Sequence, residues 1–115
     1  MPLHCESDRI GQYEDGTPFE RFRLRNSAGM QVDILDYGAT LQALRVPDQG
    51  SGAPVNLVLG FDDPAQYLKP HPYFGAVVGR HANRIGQARF ELDGRTFQIP
   101  PNEGDHALHL SLIHI

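Results

Sequence analysis

The sequence predicts an all-β fold of about seven short antiparallel strands. Three observations carry that expectation. Gly and Pro together account for 21 of the 115 residues, about 18% against a typical 12% or so, so turns leave no room for long helices. Several segments alternate apolar and polar residues with period two, as half-buried strands do. One segment places Asp-Gly between two alternating arms, the chemistry of a type I′ hairpin turn. At 115 residues the chain fits one small domain.

Taken in order, residues 19–26 read as a strand. Phe22 and Leu24 are expected inward, with Arg21, Arg23 and Arg25 on a solvated outer face. Asn26-Ser-Ala-Gly29 is a turn, since Asn and Gly tolerate positive φ. Met30, Val32 and Ile34 alternate with Gln31 and Asp33 and complete a hairpin. Gly38 then predicts a bulge or bend. Residues 41–46 form a third strand that stops at Pro47. The nearly continuous apolar run 55–61 predicts a buried strand. Asp63 and Pro64 are suited to N-cap and first position of one helical turn ending near Leu68. Residues 73–79 read as another strand. The segment 89–99 is a hairpin turning at Asp93-Gly94, with Leu92 opposite Arg95 and Phe90 opposite Phe97.

Fourteen acidic against ten basic residues, net −4, argue against nucleic acid as a partner, which needs clustered basic surface. No apolar run approaches the ~20 residues that span a bilayer, so no membrane partner is expected. The start, Met-Pro-Leu-His-Cys-Glu, lacks the regions of a secretion signal, and a cytoplasmic location is expected. Cys5 falls in an expected N-terminal tail, with no second thiol to pair with. Nothing in the sequence specifies an oligomeric state.

Neither a phosphate-cradling loop nor a Gly-x-Ser-x-Gly elbow is present. Among the six histidines, His106 and His109 are three apart, and His71 and His81 precede them. Zinc needs three or four converging ligands; this spacing supplies no such set, so no metal is expected. Gly79-Arg-His-Ala-Asn-Arg-Ile85 is more informative. Arg offers five fixed donors and Asn both a donor and an acceptor, which suits hydroxyls and ring oxygens. The same residues would equally serve as structural arginines at strand ends.

Several segments together carry a resemblance. They are Asp36-Tyr-Gly-Ala-Thr40, Val46-Pro-Asp48, Val58-Leu-Gly-Phe61 with Tyr67, and Pro72-Tyr-Phe-Gly75. Gly79-Arg-His-Ala-Asn-Arg-Ile85, Phe90-Glu-Leu-Asp-Gly94, Asn102 with Gly104, and Leu108-His109 follow. In this order and spacing the sequence resembles the aldose 1-epimerases, or galactose mutarotases. The resemblance implies an antiparallel β-sandwich, present as its N-terminal portion over residues 1–109. It also implies an isomerase that interconverts the α and β anomers of a free hexose, such as glucose or galactose, without a cofactor. Its sugar-binding residues fall on Asn83, Arg84 and His109, the last two 25 positions apart. Arg80 is expected to be structural, and His71, His81 and His106 are not expected to act directly. The family's general acid, a histidine, and its base, a glutamate, lie further downstream. Residues 1–109 therefore carry no catalytic residue, and the 115-residue chain is expected to be inactive. A non-catalytic carbohydrate-binding sandwich and a hexose-6-phosphate epimerase relative are the alternatives, with a purely structural β-domain as a third. The phosphate-binding relative would need a basic cluster that the sequence does not show.

After Leu-His the family continues with two glycines, where this chain reads Leu110-Ser-Leu-Ile-His-Ile115. Those six residues are what a transposon mosaic-end adapter encodes in one frame, so 110–115 is expected to be a non-native tail. Sequencing the source locus across the His109 codon is expected to read Gly-Gly next. Genomic codons for Leu110 to Ile115 would refute this.

Overall fold

The computed structural model describes residues 2–110; residues 111–115 of the expected tail lie outside the described residues. The chain divides into two compact units, Met1–Val77 and Val78–Ile115. Strands are antiparallel throughout, so the all-β expectation holds, with nine described strands in place of about seven.

The first unit is a five-stranded sheet of β1 (His4–Gln12), β2 (Pro18–Arg25), β3 (Gln31–Leu35), β4 (Leu41–Pro47) and β5 (Pro54–Asn56), ordered as in sequence. Its turns follow from local chemistry. Asn26 Oδ1 accepts from the N–H groups of Ala28 and Met30, both at 3.0 Å. Between β3 and β4 the Leu35 N–H reaches the Thr40 carbonyl at 2.9 Å, and Thr40 Oγ1 donates to the Tyr37 carbonyl at 2.7 Å. The bend at Gly38 is thus a full chain reversal. The bulge sits just beyond it, where the register shifts between Asp33 and Ile34.

Three expectations are corrected here. Cys5 is not in a tail; it lies on β1 opposite Leu24. The run 55–61 is not a buried strand. Only Pro54–Asn56 pairs, and Leu57 and Leu59 are exposed, because apolar runs of this length do not say what covers them. Residues 73–79 form turns and no strand. The Gly75 carbonyl accepts the Leu41 N–H at 2.8 Å.

The faces of β2 also differ from expectation. Its arginines do share one side, but that side also carries the buried Phe19, while Phe22 is exposed. The arginines are drawn in by carboxylates. Arg21 pairs with Asp8 at 2.6 Å. Asp33, 1% exposed, accepts from Arg23 Nε at 2.7 Å and Nη2 at 3.0 Å, and from Arg45 Nη1 at 2.6 Å. Alternation fixes which residues share a face, but not which face is inner once charges on neighbouring strands can pair.

Phe19, Leu35 and Tyr67 form the buried core, with Tyr13, Phe61 and Phe74 packed around them. Tyr67 is held by the expected helical turn, a 3₁₀ turn over Pro64–Leu68 whose cap, Asp63 Oδ1, accepts from the Ala65 N–H at 3.0 Å. The Tyr67 hydroxyl accepts from the Phe61 N–H at 3.0 Å. A Cβ at Gly60 would lie 2.1 Å from that hydroxyl, and one at Gly75 would lie 2.0 Å from the Leu41 carbonyl oxygen. Both positions therefore need glycine.

The second unit holds two strand pairs, β6 (Arg84–Ile85) with β9 (Ala107–Leu108), and β7 (Arg89–Leu92) with β8 (Arg95–Gln98). The β7–β8 hairpin has the expected register, Leu92 opposite Arg95 and Phe90 opposite Phe97. Asp93 and Gly94 have φ of 50° and 71°, as a type I′ turn requires. The Phe90 and Phe97 rings stack at 5.3 Å.

Burial raises the Asp33 pKa, but the hydrogen bonds from Arg23 and Arg45 outweigh it and hold the carboxyl below the usual range. A depressed folded-state pKa contributes stability above the unfolded value, which is lost as pH falls through the folded value. Asp33→Asn should therefore cost about 2 kcal/mol at neutral pH, less than a fully buried pair because both arginines are partly exposed. It should also flatten the loss of stability on acidification. Urea denaturation at neutral and acid pH checks both; equal stability of the two proteins at neutral pH would refute it.

Candidate functional site

The three residues expected to bind sugar lie in the second unit, and its smaller strand pair brings them together. Arg84 opens β6 and Leu108 closes β9, and the two are direct partners. Asn83 and His109 are the flanking residues, so pairing across two residues sets them side by side. They are then joined twice. The His109 N–H donates to the Asn83 carbonyl at 2.9 Å, and the Asn83 N–H donates to His109 Nδ1 at 2.9 Å.

Because Nδ1 accepts a hydrogen bond, the neutral imidazole carries its proton on Nε2. Nε2 is therefore the donor nitrogen of that ring. Asn83 and His109 both have left-handed backbones, with φ of 63° and 57°. Such residues cost about 1–2 kcal/mol each outside glycine and cluster at functional sites. The Asn83 Oδ1 also accepts from the Arg84 N–H at 2.9 Å.

The strand end is braced from the loop before β9. The Asn102 side chain behaves as an extra strand residue, donating to the Leu108 carbonyl at 2.8 Å and accepting its N–H at 2.6 Å. Its own N–H donates to the His106 carbonyl at 3.0 Å. Glu103 and His106 exchange backbone hydrogen bonds at 3.0 and 2.9 Å. His106 is structural here, its Nδ1 accepting from the Gln87 N–H at 3.1 Å.

Sequence reasoning missed Glu103. Its carboxylate forks onto Arg84, taking Nε and Nη2, the latter at 2.8 Å. The Arg84 hydrogen bond lowers the Glu103 pKa against an opposing effect of burial, with a further contribution from the Arg84 charge. The only signal in the sequence was a carboxylate beside Asn102, in a loop of undetermined course. Asn83, Arg84 and His109 thus cluster as expected. His71 lies in the first unit, ring-to-ring with Phe61 and Tyr67. Burial lowers its pKa. Among the described residues, no three His, Cys, Asp or Glu side chains converge in a way that could hold a metal ion. No helix among them is long and apolar enough to cross a membrane.

Comparison with known proteins gives the family of the chain. The family model described as aldose 1-epimerase matches residues 20–110. The chain belongs to the aldose 1-epimerase family. It is 46% identical over 90 residues to galactose mutarotase of Sus scrofa, covering 78% of this chain and 26% of that protein. To the aldose 1-epimerase of Escherichia coli K12 it is 40% identical over 95 residues, covering 83% and 27%. Among solved structures, galactose 1-epimerase from Lactobacillus acidophilus superposes with a TM-score of 0.72 at 29% identity, covering 94% of this chain and 30% of that one. An aldose epimerase homologue from C. elegans gives 0.64 at 40% identity, covering 74% and 26%. The fold is thus the antiparallel β fold of the galactose epimerases, and the chain spans about a quarter of the length of the curated relatives it matches.

The Asn102 bracket carries a test. In Asn102→Ala, Leu108 keeps its pairing with Arg84 and loses both side-chain partners. Its amide should exchange with solvent on the order of tenfold faster, as expected for one lost hydrogen bond. Hydrogen exchange read by NMR checks this, and unchanged protection would refute it.

Proposed function

We propose that these residues are the N-terminal, sugar-binding part of an aldose 1-epimerase, over residues 1–109, and that 110–115 is a non-native tail. The parent protein would interconvert the α and β anomers of a free hexose such as glucose or galactose, in the cytoplasm and without a cofactor. The observation that carries this reading is the doubly hydrogen-bonded pair of Asn83 and His109 beside Arg84, in a chain whose family is established.

The chemistry follows from hemiacetal opening. One group must take the proton from the anomeric hydroxyl while another protonates the ring oxygen, with their pKa values set apart. The ring opens to the aldehyde, the terminal bond rotates, and reclosure gives the other anomer. In the reading proposed here, Arg84 donates to sugar oxygens and Asn83 fixes the turn that presents it. His109, with its proton on Nε2, donates near the ring oxygen and orients the sugar. Proton transfer itself belongs to the downstream histidine and glutamate that the family resemblance implies.

Polarimetry of freshly dissolved α-glucose tests the assignment. The full-length parent should accelerate mutarotation, and the 115-residue chain should match buffer. In the full-length protein Arg84→Ala should lower kcat/KM by about 10- to 100-fold, as for a lost charged hydrogen bond. Acceleration by the isolated chain would refute its inactivity, and an unaffected Arg84→Ala would remove Arg84 from the site.

A further inference from the structure

Arg84 is an exposed side chain at a strand end, with 56% of its side-chain surface accessible. A long, solvated guanidinium of that kind explores many rotamers, and fixing it on binding costs about 0.5–1.5 kcal/mol. Here the side chain is already fixed. Glu103 meets it with both carboxylate oxygens, one on Nε and one on Nη2. Such a fork fixes the plane of the guanidinium as well as its position.

The carboxylate is held in turn. Its backbone is locked by the paired hydrogen bonds with His106, and the preceding residue, Asn102, is bonded to Leu108, the strand partner of Arg84. The brace therefore closes on itself within about two dozen residues of chain. The fork takes the Nε–Nη2 edge of the guanidinium and so sets the direction in which the side chain lies.

We propose that Glu103 is a positioning residue for sugar binding, holding the Arg84 guanidinium in the plane and position from which it meets the sugar oxygens. This rests on the reading of Arg84 as a sugar contact. Glu103 touches no substrate; it acts through Arg84, lowering the ordering cost of binding. The depressed Glu103 pKa, caused first by the hydrogen bond from Arg84, keeps the carboxylate charged down into the ordinary carboxylate range. The fork is therefore intact at neutral pH and opens only as pH falls through that lowered value.

The test uses the full-length protein, with steady-state mutarotation kinetics on galactose and glucose. Glu103→Gln keeps the shape of the side chain and removes its charge. It should raise KM about five- to tenfold, in line with the ordering cost, while kcat stays within about twofold. Glu103→Asp should recover part of the loss, and the exposed Glu91→Gln should behave as wild type. Thermal midpoints of all variants should agree, because the pair is exposed. An unchanged or lowered KM in Glu103→Gln, with Arg84→Ala still impaired, overturns the proposal alone. If Arg84→Ala also leaves KM unchanged, the failure lies in the reading of Arg84 as a sugar contact.

Discussion

The candidate site depends on one short antiparallel pairing. Two residues of β6 and two of β9 form the ladder, too few to be stable alone. The reciprocal hydrogen bonds of Asn83 and His109 extend it at one end, and the Asn102 side chain extends it along the β9 edge. The Asn83–His109 bonds also hold two of the residues proposed to bind sugar. Stability and presentation are therefore the same interaction: loosening the pairing would misplace Asn83, Arg84 and His109 together. The left-handed backbones of Asn83 and His109 are the strain this arrangement holds in place.

The motifs that mark the family resolve into steric and polar requirements. Val58-Leu-Gly-Phe61 and Tyr67 belong together because the tyrosine hydroxyl sits where a Cβ on Gly60 would be and accepts the Phe61 N–H. Pro72-Tyr-Phe-Gly75 ends in glycine because the backbone passes against the Leu41 carbonyl with φ of 64°. Asp36 and Thr40 bracket the β3–β4 reversal. Asp36 accepts from the Tyr13 hydroxyl at 2.7 Å, and Thr40 closes on Tyr37. These segments frame the aromatic core of the first unit. The second unit uses a different economy, with few buried residues and most of its order in backbone and side-chain hydrogen bonds.

Charge plays two roles. In the first unit Asp33 gathers Arg23 and Arg45 on a half-buried face, so the inner side of β2 is a polar lattice flanking Phe19 and Leu35. In the second, Glu103 and Arg84 are exposed, and the fork contributes orientation more than stability.

Local chemistry made part of this legible without a structure. The Asp93-Gly94 hairpin and its register, the Asn26–Gly29 turn and the capped turn at Asp63-Pro64 were all readable. Each depends on residues within a few positions of one another, whose backbone preferences act whatever surrounds them. The clustering of Asn83, Arg84 and His109 was readable only through family resemblance, since a separation of 25 positions between Arg84 and His109 leaves their distance in space undetermined. Tertiary structure decided the rest. It placed Cys5 in a strand, turned Arg21 and Arg23 of β2 inward, left residues 57 and 59 exposed, and brought Glu103 to Arg84. All four outcomes turn on which distant segment lies opposite, and period-two alternation is blind to the choice between two faces until a partner strand supplies the carboxylate or the aromatic ring that fills one of them.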